Sequence, residues 1–266
     1  MMRALVRYAR LYLIQAWFAY RALFSWSTPF NYFVSKFGFA FFAMVFFVFM
    51  GRFVGLNDPL YIVIGNILMI PATNGVSGIS LTVGNERQFG ALSYLLGSPA
   101  PRAPLFLGRG FFHILDNFIT VAVALPAAIL LFRYDASQAN IPLVLLCVLI
   151  TAFTTSGMGF IMGSISLVNR DGWMITSTLS LALYMLVGVN FPVAALPGWL
   201  QTVSYSLPMT RGILAARLAL AGAGWNEISG LMLGEVLIGA LYVALGYAMF
   251  LALERRSLVN GSLDSL

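Results

Sequence analysis

Gly84–Pro104 reads GNERQFGALSYLLGSPAPRAP, and it interrupts a chain that is apolar on both sides of it. Tyr61–Val83 (YIVIGNILMIPATNGVSGISLTV) comes before, and Ile114–Phe132 (ILDNFITVAVALPAAILLF) follows soon after. Each flank approaches the roughly 20 residues with which an α-helix crosses a bilayer. Hydrocarbon offers the backbone no hydrogen-bond partner, so a chain that crosses it does so as a helix and turns back where water is available. The polar stretch therefore predicts a turn at one membrane face between two spans.

Composition extends that reading to the whole chain. Of 266 residues, 60% are hydrophobic and only 9% charged, with mean hydropathy +0.89. A soluble domain carries about a quarter charged residues, and the runs do not alternate as membrane β-strands do. The fold class predicted is an all-α polytopic membrane protein, a single membrane domain over residues 1–266. Six spans are read, at about Asn31–Val54, Pro59–Val83, Pro104–Phe132, Ile141–Val168, Trp173–Asn190 and Ile228–Leu253. Lys36 and Arg52 lie near the two ends of the first, where long stems reach opposite interfaces.

The segments outside the spans carry their own signals. Arg3, Arg7, Arg10 and Arg21 share one helical face, and Leu5, Tyr12, Leu13, Ala16, Trp17 and Tyr20 occupy the other. Residues 1–28 thus predict a cationic amphipathic helix in the membrane interface. Gln15 and Arg21 interrupt the apolar run that a cleavable leader needs. Phe191–Trp225 is apolar, yet Pro192, Pro197 and Pro208 cut it into pieces too short to span. Such pieces suit a re-entrant position. Counting Lys and Arg by side puts ten arginines with both termini and Gly84–Pro104, against Arg52, Arg133, Arg211 and Arg217 on the other side. The excess marks the cytoplasmic face, so residues 191–225 fall outside. The net charge of +6 is read as orienting the chain, not as binding nucleic acid.

Chemistry is conspicuous by what the sequence lacks. A nucleotide-binding P-loop needs a lysine that reaches the β/γ-phosphates, and the single lysine, Lys36, stands in VSKFG. If ATP drives this chain, another polypeptide binds it. One His and one Cys cannot form a His/Cys metal cluster, and no serine stands in a nucleophile elbow. No catalytic, cofactor or metal residues are expected. Cys147, in an apolar run, reads as a small buried hydrophobe.

Three intramembrane ionisable groups stand out: His113 and Asp116, on one face of the third span, and Glu235 in the sixth. Such groups are costly in lipid and signal function. Two readings remain open: a proton relay, or a His113–Asp116 pair near the interface with Glu235 paired to Arg211 or Arg217. Gly159-x-x-x-Gly163 and Gly230-x-x-x-Gly234 allow close helix approach. Phe39, Phe42 and Phe46 either line a hydrophobic substrate path or face lipid.

Within the opening stretch, Phe89, Leu92, Leu95 and Leu96 recur at helical spacing behind a Glu86–Arg87–Gln88 start. Ser98-Pro99 ends the run, since a residue before proline avoids the α region. This predicts a short amphipathic helix along the cytoplasmic surface within residues 84–103, suited to docking a soluble partner.

Two motifs together carry a resemblance. NERQFGALSYLLGSPAPRAPLFLGR resembles the E-R-E-x-G-T-L-E-x-L-L-x-S-P pattern, followed by a basic residue and G-R/K, of ABC transporter permeases of the ABC-2 type. GVNFPVAALPGWLQTVSYSLPMTRGILAARLAL is similar to that family's stretch before the last span. The resemblance implies a coupling-helix role for Glu86, Arg87, Phe89, Gly90, Leu92, Leu95 and Leu96. It implies an outer gate of short re-entrant helices containing Phe191, Pro192, Leu196, Pro197, Trp199, Leu207 and Pro208. Ala91 and Ser93 depart from the usual Thr and Glu, and Arg211 from a frequent aromatic.

The resemblance also implies an exporter in a prokaryotic inner membrane, with its membrane lipid around it. Two copies of a separate ATP-binding subunit hold ATP and Mg, and a second permease half, identical or homologous, completes the path. The cargo is read as an amphipathic drug-like molecule, lipid or peptide, or alternatively as a lipid-linked polysaccharide. A reading of another class is a proton-coupled carrier using Asp116 and Glu235.

Overall fold

The computed structural model describes residues 2–23, 28–53, 55, 59–88, 90, 94–95, 97–99, 101–132, 136–169 and 172–260. Every regular element among them is helical. Helix α1 is Met2–Leu23, α2 is Pro29–Phe33, and a π-helical turn over Val34–Gly38 leads into α3, Phe39–Phe53. Then follow α4 (Pro59–Gln88), α5 (Arg102–Phe132), α6 (Ile141–Ser166) and α7 (Gly172–Leu186). A 3-10 turn over Val193–Ala195 precedes two short helices, α8 (Gly198–Ser206) and α9 (Thr210–Leu220), and α10 (Trp225–Asn260) ends the fold.

Among the described residues four helical stretches are long and apolar enough to cross a bilayer: Tyr61–Arg87, Arg102–Leu131, Ile141–Ser166 and Trp225–Ser257. These correspond to the second, third, fourth and sixth expected spans. The first is a compound run, α2–π–α3, started by Pro29 and by the Thr28 hydroxyl accepting from Asn31 N–H at 3.2 Å. The fifth is α7, whose 15 residues cover about 22 Å at 1.5 Å per residue. It stops short of Asn190 because Val187–Phe191 is bent, with Gly188 at φ +76°.

α6 is the centre of the bundle. It packs on α4, α10 and α9, and its inward residues from Leu143 to Ser166 are buried. They are small, so neighbouring backbones come close. Gly159 and Gly163 lie against Ile79 of α4, with Val83 also beside Gly163, which makes that glycine pair an intrachain contact. The main core joins α3, α4, α5, α6, α7, α9 and α10 through residues such as Ile67, Met69, Val148, Leu183 and Ile213. A second core of Ile79, Val83, Phe106, Phe160, Leu167 and Phe250 sits at the end where α4 and α10 finish. There the Phe106 ring stacks on Phe250 at 4.1 Å and tilts against Phe160 at 5.1 Å.

α10 shows both sides of the same rule. Leu233, Leu237, Leu241 and Leu245, four residues apart, are exposed and form a stripe that lipid covers. On the opposite side Gly239 and Gly246 meet α6, where an added Cβ at Gly239 would run into Thr154 and one at Gly246 into Phe160 and Ile161. Gly230, by contrast, has open space around it. We therefore expect Gly239→Leu to lower the thermal unfolding midpoint of the detergent-purified protein, by overpacking worth about 1–3 kcal/mol. Gly230→Leu is expected to leave the midpoint within error of the parent's.

Candidate functional site

The α4–α5 turn takes a different form from the one the sequence suggests. Glu86, Arg87 and Gln88 do not begin a new helix; they complete the last turn of α4. Gly90, at φ +70°, then ends it, its N–H donating to Arg87 O at 3.1 Å. A left-handed residue costs glycine nothing extra, so the continuous Glu86–Leu96 helix gives way to a break at Gly90. Phe89, Leu92 and Leu96 lie outside the described residues. Tyr94, 85% exposed, and half-buried Leu95 are helical, and the Ser98 hydroxyl closes that turn by donating to Leu95 O at 2.7 Å.

Arg102 starts α5 and ties the turn together. Its Nη1 donates to Ser98 O at 3.2 Å, and its Nε meets Glu254 Oε1 at 2.7 Å. Glu254 belongs to α10 and is 5% exposed. Sequence reasoning passed over this acid; the signal was an isolated Glu ahead of Arg255-Arg256 at the end of an apolar run.

α1 docks on α5. Ala16 and Ala19 are buried, and Tyr12, Trp17 and Tyr20 meet Phe111 and Phe112 at ring separations of 5.5–5.7 Å. Leu13, Ile14, Trp17 and Phe18 remain exposed, as do Arg10 and Arg21; the side chains of Arg3 and Arg7 lie outside the description. The Tyr20 and Tyr32 hydroxyls are 2.6 Å apart, and Tyr32 donates to the Asp116 carboxylate. Burial pushes the Tyr20 phenol up to about 12, so its hydroxyl stays protonated across physiological pH.

His113 and Asp116 thus serve a junction. Buried His113 lies 3.3 Å from Thr82 Oγ1 through Nε2 and edge-on to the Tyr20 ring, while Asp116 receives Tyr32. Together they connect α1, α2, α4 and α5. Phe42 and Phe46 are exposed and point outward, and the Phe39 side chain is outside the description. An apolar cavity of about 220 Å³ is lined instead by Phe33, Phe37, Phe41 and Met44 with Ile67 and Val123.

At the opposite end, prolines punctuate the chain as the sequence indicates. Pro192 precedes the 3-10 turn, Pro197 caps α8, and Leu207, extended at ψ 144°, precedes Pro208. Leu196 and Pro208 are buried, Phe191 and Leu207 half-buried, and Pro192, Pro197 and Trp199 exposed. α9 has no side-chain cap of its own: Met209, at φ 80°, occupies that position. Glu235 supplies the cap from α10. It is 0% exposed and accepts from Met209 N–H, from Gly212 N–H at 3.1 Å and from Thr154 Oγ1 at 2.7 Å. A carboxylate suits the positive end of a helix.

No hydrogen bond joins Arg211 or Arg217 to Glu235, although Arg211 lies against the neighbouring Gly234 and acts on the carboxylate through space. Arg211 donates to Tyr205 O, and its guanidinium sits 5.6 Å from the Tyr205 ring centroid. Arg217 lies 3.4 Å over the Tyr61 ring and donates to Gly188 O, Val189 O and Tyr61 O at 2.6–2.9 Å. It thereby holds the bend after α7 against the start of α4. Asn66 reinforces this clamp by donating to Asn190 Oδ1 at 3.0 Å.

Residues 12–221 match the family model of the ABC-2 type transporter, and the chain belongs to this family. The match runs from α1 through the α4–α5 turn to the end of α9. Among similar proteins is the inner membrane transport permease YhhJ of Escherichia coli strain K12, 23% identical over 189 residues, 71% of this chain and 50% of that one. Another is a protein of the same strain named "Probable multidrug ABC transporter permease YbhR", 24% identical over 199 residues, 73% of this chain and 53% of that one. The chain spans about half the length of these curated relatives.

The α9 cap is directly testable. Met209 N–H and Gly212 N–H bond to different carboxylate oxygens, so Glu235→Gln keeps an acceptor for one and turns its amide NH2 toward the other, and exchange at Met209–Gly212 should rise only in part. Glu235→Ala leaves both donors buried without an acceptor, at a cost of about 1–3 kcal/mol. Faster hydrogen–deuterium exchange confined to the start of α9, with a lowered melt, is the expected outcome.

Proposed function

We propose that this chain is the permease subunit of an ATP-driven exporter. Separate ATP-binding subunits, two per complex, hold ATP and Mg, and a second permease half, identical or homologous, completes the path. The observation that carries this reading is the Gly84–Pro104 turn between two membrane-length helices in a chain of the ABC-2 family. It exposes Tyr94 and Gly90, with half-buried Glu86 and Arg87 beside them in the last turn of α4. With a single lysine outside any P-loop context, energy enters from a partner, and this turn is where the partner pushes.

Further features support the finer picture. The compound α2–α3 run and α7 complete six crossings, and both termini and the turn face the cytoplasm in a prokaryotic inner membrane by the arginine count. The α8–α9 hairpin dips into the bilayer from outside as the gate. Its inner end meets Glu235, ten residues along α10 from Trp225, a depth of about 15 Å, or half of a hydrocarbon core about 30 Å thick. α1 lies in the cytoplasmic interface, with exposed Arg10 and Arg21 toward lipid headgroups.

The cargo is an amphipathic drug-like molecule, a lipid or a peptide. The apolar cavity against Phe33, Phe37 and Phe41, and the name of the similar permease YbhR, favour this over a lipid-linked polysaccharide. Glu235 engaged as a helix cap, and Asp116 as a tyrosine acceptor, favour ATP over a proton gradient as the drive.

Inverted membrane vesicles carrying the chain, with or without its cognate ATP-binding subunit, provide the test. ATP-dependent uptake of a lipophilic fluorescent dye should require both proteins, and the chain alone should hydrolyse no ATP. Replacing both Glu86 and Arg87 with Ala should leave hydrolysis in place and lower uptake about tenfold, about 1.4 kcal/mol of lost coupling. Uptake driven by a proton gradient without the subunit would overturn the reading.

A further inference from the structure

We infer that α10 is the rod through which the α4–α5 turn moves α9, with Glu254 and Glu235 as its two fastenings; this rests on the permease reading. Near one end of α10, Glu254 receives Arg102, which also holds the Ser98 carbonyl of the turn. A displacement of the turn therefore reaches α10 through a charged, nearly buried contact. Nearer the other end, Glu235 receives two backbone N–H groups at the start of α9 and the hydroxyl of Thr154. The two carboxylates are 5% and 0% exposed. Removing one partner of a buried charge leaves the other uncompensated, so both attachments resist parting.

Between them α10 is built to transmit. Glu235 and Glu254 are 19 residues apart in one uninterrupted helix without proline, which places them about 28 Å apart along its axis. The face toward α6 is close-packed where Gly239 and Gly246 sit, with backbone against Thr154, Phe160 and Ile161, and the Ser164 hydroxyl of α6 donates to Gly246 O at 3.0 Å. The face away from the bundle carries the exposed Leu233, Leu237, Leu241 and Leu245, which lipid does not hold in register. α10 is thus tied to the turn near one end, to α9 near the other and to α6 between them, so it shifts together with α6 as one unit, and small shear between packed helices is an ordinary mode of switching. α4 also leaves the turn and reaches the far face. It is packed by α3, α5, α6 and α7 and meets α9 through Tyr61 and Arg217, near the end of α9 and away from its capped start.

Arg102 and Glu254 are positioning residues on this account, and a charge exchange tests them. The full chain, with its cognate ATP-binding subunit, is reconstituted in lipid nanodiscs. Buried Cys147 is replaced by Ser, and Ser206→Cys at the exposed end of α8 carries a maleimide readout. In the parent, ATP with vanadate should change the labelling rate at position 206 about fivefold or more. Arg102→Glu should abolish that change while the subunit still binds and hydrolyses ATP, and Arg102→Glu with Glu254→Arg should restore it. A merely structural ion pair would instead alter the labelling rate equally with and without ATP.

If the reversal prevents folding, Glu254→Gln keeps the side-chain volume and an acceptor for Arg102, and should at least halve the ATP-dependent change. An ATP-dependent change that survives Arg102→Glu or Glu254→Gln at full size overturns the inference. So does a folded double variant that fails to recover it. Failure of any ATP-binding subunit to copurify with the parent chain overturns the permease reading itself, which separates the two failures.

Discussion

A backbone amide or carbonyl buried in an apolar bundle has no water to turn to, and the main departures from regular helix among the described residues answer that constraint. The two main departures lie at the ends of short helices. α9 begins deep against α6 and α10, and the carboxylate of Glu235 receives its first free N–H groups. α7 ends early, and the guanidinium of Arg217 gathers the freed carbonyls of Gly188 and Val189 together with that of Tyr61. One anion sits at a helix start and one cation at a helix end, each matched to the sign of the local dipole. The pair makes a broken segment tolerable, and the rest of the far face is arranged around it.

The opposite face is organised by different chemistry. There a second core of Phe106, Phe160 and Phe250 with Ile79 and Val83 underlies the α4–α5 turn. Arg102 and Glu254 join the turn to the end of α10. α1 is attached by aromatic edges and by the Tyr20–Tyr32–Asp116 chain of hydroxyls and carboxylate. Rings in contact and buried polar bonds make this end stiff, and stiffness is what a surface needs if a push upon it is to travel.

Much of this was legible in the sequence because lipid makes composition informative. The long apolar runs, the proline-divided Phe191–Trp225 segment and the cationic N-terminal helix follow from periodicity and charge alone. The break at Gly90 did not: Phe89, Leu92 and Leu95 have helical spacing, and nothing in spacing tells whether the glycine between them takes a left-handed turn. Nor did the partners of Glu235. An acid in a membrane helix invites pairing with an arginine, and Arg211 and Arg217 were available, but backbone N–H groups at a helix start satisfy it as well and leave no mark in the sequence. Glu254 was missed because an acid beside two arginines looks locally neutralised, whereas its partner is Arg102, 152 positions away.

The cap on α9 has a consequence for how the chain is made. α9 is synthesised before α10, yet the group that satisfies its first N–H donors belongs to α10. During synthesis those donors therefore lack this acceptor until α10 has formed beside them. α10 thus completes the helix that precedes it in the chain.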